Sequence, residues 1–292
     1  MRDAFAQTMT ELAIERDDIV LLSGDIGNRM FDKYQEIAKQ RFINCGIAEA
    51  NMMSMAAGMA LSGLRPVVYT IAPFATMRCL EQIRIGVAYH NVPVVIVGTG
   101  SGLSYAELGA THHSLEDIAI LRSIPNLQVC APADSLELKA QLRQAVQTAK
   151  PTYIRIGKKG EPDLLGEETD LGIAKANLLK SGRNVLLLGV GPILSEALVA
   201  QKELQAKGIE MGIACMGSIK PLDTKFLHSM VAENYLKWIS LEEHHQSGAW
   251  ALLFWSGYLK TRLLLYNSNA WVLVIILYIN LEYKDTYAKL KA

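Results

Sequence analysis

Arg41-Phe-Ile-Asn-Cys-Gly-Ile-Ala-Glu-Ala-Asn-Met-Met53 sets one carboxylate, Glu49, between a short apolar strand and a helix rich in alanine, glycine and methionine. The strand is read over Phe42 to Cys45 and the helix from Glu49 to about Leu61, where apolar residues return at helical spacing. In a parallel sheet, ligands bind at the carboxyl ends of the strands, and this loop follows such an end. Two roles are open to Glu49. A first-turn acid complements the helix macrodipole, and an acid in this loop can also face a ligand. Spacing alone favours the first.

Outward from this stretch, strand and helix alternate. Phe5, Met9, Leu12 and Ala13 predict an opening amphipathic helix, and Ile19 to Leu22 a buried strand ending in Ser23-Gly24-Asp25. Further strands are read at Val67 to Thr70, Val92 to Val97, Leu127 to Cys130 and Tyr153 to Ile156. Helices are read from Phe74 to Tyr89, after the glycine-rich loop that begins at Gly100, and from Leu136 to Thr148. Continuous apolar strands between helices predict an α/β fold with a parallel sheet covered on both faces. Residues 1–158 form this first domain, 159–175 a linker rich in Gly, Glu and Asp, and 176–292 a smaller α/β domain. In the second domain, strands are expected at Asn184 to Val190, Met211 to Cys215 and Trp238 to Leu241, with a helix from Ile193 to Ala206.

Composition narrows the function. Half of the 292 residues are hydrophobic, and 29 basic side chains balance 29 acidic ones. No net field is available to attract nucleic acid or an anionic membrane. An apolar, uncharged balance suits a chain that buries surface against other subunits. The four cysteines lack CxxC spacing and read as reduced thiols of a cytoplasmic protein. No secretory signal is read at the start, and the greasiest run, Trp271 to Ile279, is too short to span a bilayer. A soluble protein is expected.

Gly46-Ile47-Ala48-Glu49 with Asn51-Met52 resembles the glutamate motif of transketolases and related thiamine-diphosphate enzymes. Other motifs follow the same order: Ser23-Gly24-Asp25-Ile26 at a strand end, Pro73-Phe74, Gly109-Ala110-Thr111-His112, Pro125-Asn126 with Ala131-Pro132-Ala133-Asp134, and the strand from Pro151 to Lys158. The similarity therefore runs across residues 20 to 158, and Leu241 to Gly248 resembles the family's third-domain Glu-Glu-His segment.

The resemblance implies thiamine diphosphate as cofactor, with Glu49 as the acid that meets N1′ of its aminopyrimidine. Such an acid stabilises the imino tautomer, whose N4′ takes the C2 proton, and apolar neighbours (Ile47, Met52, Met53, Phe74) would favour a shared proton. Phe74 is read equally as core packing or ring stacking, and the family match favours stacking. Met77 would keep an apolar wall to the ring pocket. His112 matches a histidine near the reacting carbons, suited to proton transfer or hydroxyl contact. His113 is read as orienting or structural. Ser23, His112, Arg155 and Lys158 are the substrate-binding candidates.

The departures bear on substrate more than on reaction class. Gly100 stands where transketolases carry a second histidine, Leu108 replaces an aspartate, and Lys158 replaces a phosphate-holding arginine. Gly24-Asp25-Ile26-Gly27 is only a near miss to the Gly-Asp-Gly metal motif. The Mg²⁺ ligands are therefore expected from a partner, an amino-terminal transketolase subunit carrying the diphosphate and metal site, in a heterotetramer. From Ala249 to Ala292 the sequence leaves the family pattern, and a coding-frame change near Gly248 is the reading taken. The leading function is transfer of a two-carbon ketol unit between sugars or sugar phosphates. A deoxyxylulose-phosphate synthase-like or 2-oxo acid dehydrogenase β-like subunit, and a non-catalytic assembly subunit, remain open.

Overall fold

The computed structural model describes residues 1–27, 29–233, 235, 237–245, 248 and 250, and the backbone of Thr261–Leu265 and Leu273–Ile279. Six strands run parallel: β1 (Ile19–Ser23), β2 (Phe42–Asn44), β3 (Arg65–Ile71), β4 (Val95–Thr99), β5 (Gln128–Cys130) and β6 (Thr152–Ile156). In space they lie in the order β5-β6-β4-β3-β1-β2. All five residues of β1, β4 and β6 are buried, which explains why the strands read as apolar runs without alternation.

Successive side chains of β1 enter opposite cores, as a pleated strand requires. Ile19 and Leu21 join Phe5 and Met9 of α1 (Arg2–Glu15), Tyr34 of α2 (Asp32–Ala38) and the leucines of a later helix. Val20 and Leu22 instead meet Met52, Met53 and Ala56 of α3 (Glu49–Leu61). Residues 72–89 depart from the single helix expected. They form α4 (Ala72–Thr76), a 3₁₀ turn (Met77–Cys79) and a π-helical segment (Gln82–Tyr89). Pro73 starts α4 near its first position, where a missing N–H costs nothing. Gly86 then lets the segment approach α3, since a Cβ there would stand 3.2 Å from the Ala57 Cβ. The layer is completed by α5 (Asp117–Arg122) and α6 (Ser135–Thr148), the latter carrying Leu138 and Leu142 onto the α1 side.

The second half holds β7 (Asn177–Lys180), β8 (Val185–Gly189), α7 (Leu194–Ala206), β9 (Met211–Cys215), β10 (Ser218–Lys220), α8 (Thr224–Ala232), β11 (Lys237–Glu242), β12 (Thr261–Leu265) and β13 (Leu273–Ile279). Its sheet runs β12-β13-β11-β8-β9-β7, with β8 parallel to β9 and β11 and antiparallel strands at both sides. Five of these elements were not expected: β7, β10, α8, β12 and β13. β10 leaves its own half and pairs antiparallel with β5, so the first sheet has seven strands. Trp238, Leu186 and Trp250 also share one core with α3 and α5. Of the atypical tail 249–292, only Trp250 and the backbones of β12 and β13 are described, and the poor packing expected there lies outside the described residues. No helix among the described residues is long and apolar enough to cross a membrane.

The joint between the halves explains one motif. Asp134 caps α6 by accepting from Glu137 N at 2.9 Å, and its other oxygen accepts from Leu164 N and Leu165 N at 2.8 Å. Behind it the Glu137 carboxyl is fully buried, accepting from Ala133 N at 2.7 Å and from the Cys215 thiol at 3.3 Å. Burial pushes Glu137 up from 4.5 to about 7. The native state thus binds an extra proton between those values, and stability from this group falls as pH rises through that window. Glu137→Gln should flatten the decline of urea midpoints between about pH 4.5 and 7. An unchanged slope would contradict the assignment.

Candidate functional site

The site begins where β1 and β2 end. Cys45 N donates to Ser23 O at 2.8 Å, extending the pairing past β2, and Gly46 turns the chain with φ 69°. Asn44 braces the turn, donating to Asp25 Oδ1 at 2.9 Å and accepting from Gly46 N at 2.9 Å. Glu49 then opens α3 with only 4 % of its surface exposed.

The Glu49 carboxylate faces the 3₁₀ turn that follows α4. Its Oε2 accepts from Arg78 Nη1 at 3.2 Å. The same guanidinium lies over the Phe74 ring, with Cζ 3.9 Å from the centroid. Phe74 also meets the His112 ring at 5.0 Å and 66°, and His112 meets Tyr105 at 6.0 Å. Thr111 Oγ1 and His112 Nδ1 lie 2.9 Å apart, which leaves Nε2 of His112 for other contacts. Lys158 closes the row, with Nζ 4.7 Å from the Tyr105 centroid and 2.9 Å from Glu107 Oε1. Glu49, Phe74, His112 and Lys158 therefore belong to one continuous surface.

Four other candidates fall elsewhere. Ser23 is buried, and its hydroxyl donates to Ile26 O at 2.9 Å. Arg155 is corrected from substrate contact to internal brace: it is 1 % exposed, and its Nη1 donates to Asp117 Oδ1, Ser114 O and Glu243 O at 3.2–3.4 Å. Tyr153 OH donates to the second Asp117 oxygen at 2.6 Å. Ile47 is 79 % exposed and Met77 38 %, so neither walls the carboxylate in this chain alone. The expected apolar surrounding is half present: Met52 and Met53 are buried, while the nearest partner is a cation.

Residues outside the motifs also shape the site. Arg78 sits four positions after Phe74, the spacing at which helical side chains meet; that signal was available in the sequence. Tyr105 explains why no histidine stands at position 100. Gly100 has φ 89°, and a Cβ there would lie 2.2 Å from the Tyr105 ring. From the second half, Glu243 Oε1 accepts from Leu103 N at 3.4 Å and His244 Nε2 accepts from Ala119 N at 3.2 Å. The first bond ties the loop before His112 and the second ties α5 after it; the second requires a His244 ring protonated at Nδ1, which donates to His245 O. Burial lowers the His244 pKa in keeping with that neutral form. Among the described residues no group of three His, Cys, Asp or Glu side chains could hold a metal ion.

Residues 1–161 match the transketolase pyrimidine-binding domain, and residues 174–256 the transketolase C-terminal domain. The chain is 34 % identical over 249 residues to an apulose-4-phosphate transketolase subunit of Phocaeicola vulgatus, covering 85 % of this chain and 80 % of that one. It is 34 % identical over 224 residues to the 6-deoxy-6-sulfo-D-fructose transketolase subunit SqwH of Clostridium sp. strain MSTE9, covering 76 % and 70 %. A split-gene transketolase solved as an inactive β4 tetramer superposes with a TM-score of 0.79 at 32 % identity, over 88 % of this chain and 85 % of that one. This chain belongs to the transketolase family of transferases and is built from that family's pyrimidine-binding and C-terminal domains.

Proposed function

We propose that this chain supplies the aminopyrimidine side of a thiamine-diphosphate site in a two-subunit transketolase that transfers a two-carbon ketol unit between sugars or sugar phosphates. One observation carries the reading: a nearly buried carboxylate faces an aromatic ring across a gap that accepts a flat, delocalised group with N–H donors. Arg78 fills that gap here, and its guanidinium stands in for such a heterocycle, stacked on Phe74 and bonded to Glu49. The residues therefore fit the cofactor. Thiamine diphosphate, when bound, would supply the nucleophilic carbon and the electron sink that breaking a ketose C–C bond needs.

The work of this chain is positional and protonic. Glu49 holds a proton at N1′ from the first turn of α3, in a setting withdrawn from water. Phe74 supports the ring face. His112, held by Thr111, offers a ring nitrogen to substrate hydroxyls and to the proton that leaves or returns at the reacting carbons. The diphosphate and Mg²⁺ belong to a second polypeptide, and a heterotetramer of two copies of each chain is the assembly proposed. The names of the two split-transketolase relatives each carry an anionic group, a phosphate or a sulfonate, on the sugar. Lys158, on the same surface as His112, is the cation for such a group.

Reconstitution with a partner that carries Gly-Asp-Gly tests the reading. Ketol transfer from a ketose phosphate to an aldose is expected. Turnover with pyruvate in place of the ketose, and none with the ketose itself, would replace the proposal by a synthase-like reaction. Lys158→Ala should raise KM for the phosphorylated ketose about tenfold or more, with kcat changed much less, since a lost charge-assisted contact to phosphate is worth ~1.5–3 kcal/mol. An unchanged KM would remove Lys158 from the site.

A further inference from the structure

The two contacts of Arg78 have a consequence for cofactor loading. Its guanidinium makes both interactions proposed for the aminopyrimidine: it stacks on the Phe74 ring at 3.9 Å, and it donates to Glu49 Oε2 at 3.2 Å. The ring and the side chain cannot share that space. Nor are the partners equally committed. Glu49 is 4 % exposed and anchored in α3, whereas the Arg78 side chain is 47 % exposed and leaves its place by rotating into water. The backbone beneath is irregular, because α4 ends at Thr76 and a 3₁₀ turn carries Met77–Cys79 before the π-helical segment. Irregular turns of this kind let one side chain be re-aimed without moving the helices around it.

We propose that Arg78 is a displaceable stand-in for the cofactor's ring: it keeps Glu49 and Phe74 in their working orientation in the cofactor-free chain, and must swing out before thiamine diphosphate can bind. This role rests on the function proposed above. In the free chain the pair compensates a carboxylate that would otherwise be withdrawn from water without a partner. In the loaded enzyme the same pair is a competitor. If the closed arrangement holds nine-tenths of the population, the apparent affinity for cofactor is about tenfold weaker than the open site would show. Lysine could not take the role. It would pair with Glu49 as a point charge but would lack the flat fork that lies on Phe74.

Opposite effects on the two states are expected. Arg78→Ala should lower the melting temperature of the cofactor-free chain. In the chain assembled with its diphosphate-binding partner, it should tighten thiamine diphosphate binding about tenfold in a calorimetric titration with Mg²⁺. Arg78→Lys should fall between. Arg78→Met, which keeps the length of the stem, serves if the alanine variant does not fold. Equal or weaker binding by the Ala and Met variants, with normal binding by the unaltered complex, would overturn the stand-in alone. Absence of binding by the unaltered complex and the variants alike would overturn the cofactor reading beneath it.

Discussion

Glu49→Gln is expected to leave the chain folded and to lower kcat of the reconstituted enzyme by about 10²–10⁴-fold, the range typical of a lost acid–base group. Folding should survive because the amide oxygen still accepts from Arg78 Nη1, which lies 3.2 Å from the present carboxylate oxygen. The loss follows from proton bookkeeping at N1′: a glutamine can accept or donate there, but it cannot exchange its amide proton with the ring at a useful rate. KM for the sugars should change little, because no sugar contact is assigned to Glu49. A melting curve and steady-state kinetics on the same preparation decide the matter. A folded Gln variant within tenfold of normal kcat would sink the role.

The largest stability effect is expected away from the chemistry. Asp117→Ala should destabilise the chain by about 3–5 kcal/mol, the usual cost of removing one partner of a buried ion pair. Asp117 is fully buried, and its two oxygens take Arg155 Nη1 and Tyr153 OH. Without it, a guanidinium 1 % exposed keeps hydrogen bonds to the main-chain carbonyls of Ser114 and Glu243 and the pull of the nearby Glu243 and Glu242 carboxylates, but loses its carboxylate hydrogen bond. Two of the tethers lie in different halves of the chain, so the joint between β6 and the segment after β11 should loosen together with the His112 loop. Adding Arg155→Met should recover much of the loss, because an apolar side chain of similar length carries no charge to strand. Urea midpoints of the single and double variants measure both effects. A single-variant loss under about 1 kcal/mol would contradict the brace.

The span of α3 was legible from residues 49 to 61 because an acid at the first turn and apolar residues at helical spacing mark a helix without ambiguity. The parallel first sheet was legible for the same reason its strands look monotonous: both faces are covered, so alternation disappears. Residues 72–89 were not legible as they are, because the apolar positions suit a regular helix and no local pattern marks the 3₁₀ turn and the π-helical segment. β10 has three residues and takes its pairing from another half of the chain, which no local pattern encodes.

The site divides similarly. Glu49, Phe74 and His112 were readable through motif order, and the fold brings them to one surface. Arg155 was misread because strand alternation tells which side a residue takes, not whether that side is solvent or core. Here the second half's Glu243 covers it. Ser23 is another residue whose motif position hides a local role, the bond to Ile26 O. Ile47 looked like a pocket wall by proximity in sequence, yet the turn at Gly46 leaves it facing out.

Exchange of the cofactor's C2 proton for deuterium, followed by NMR after acid quench of the assembled enzyme, most directly tests whether Glu49 drives the chemistry. Rapid exchange is expected in the unaltered complex, and exchange slowed by about 10²-fold or more in Glu49→Gln, with the cofactor still bound. Equal exchange rates in the two complexes would show that the carboxylate at the head of α3 has no part in generating the carbanion.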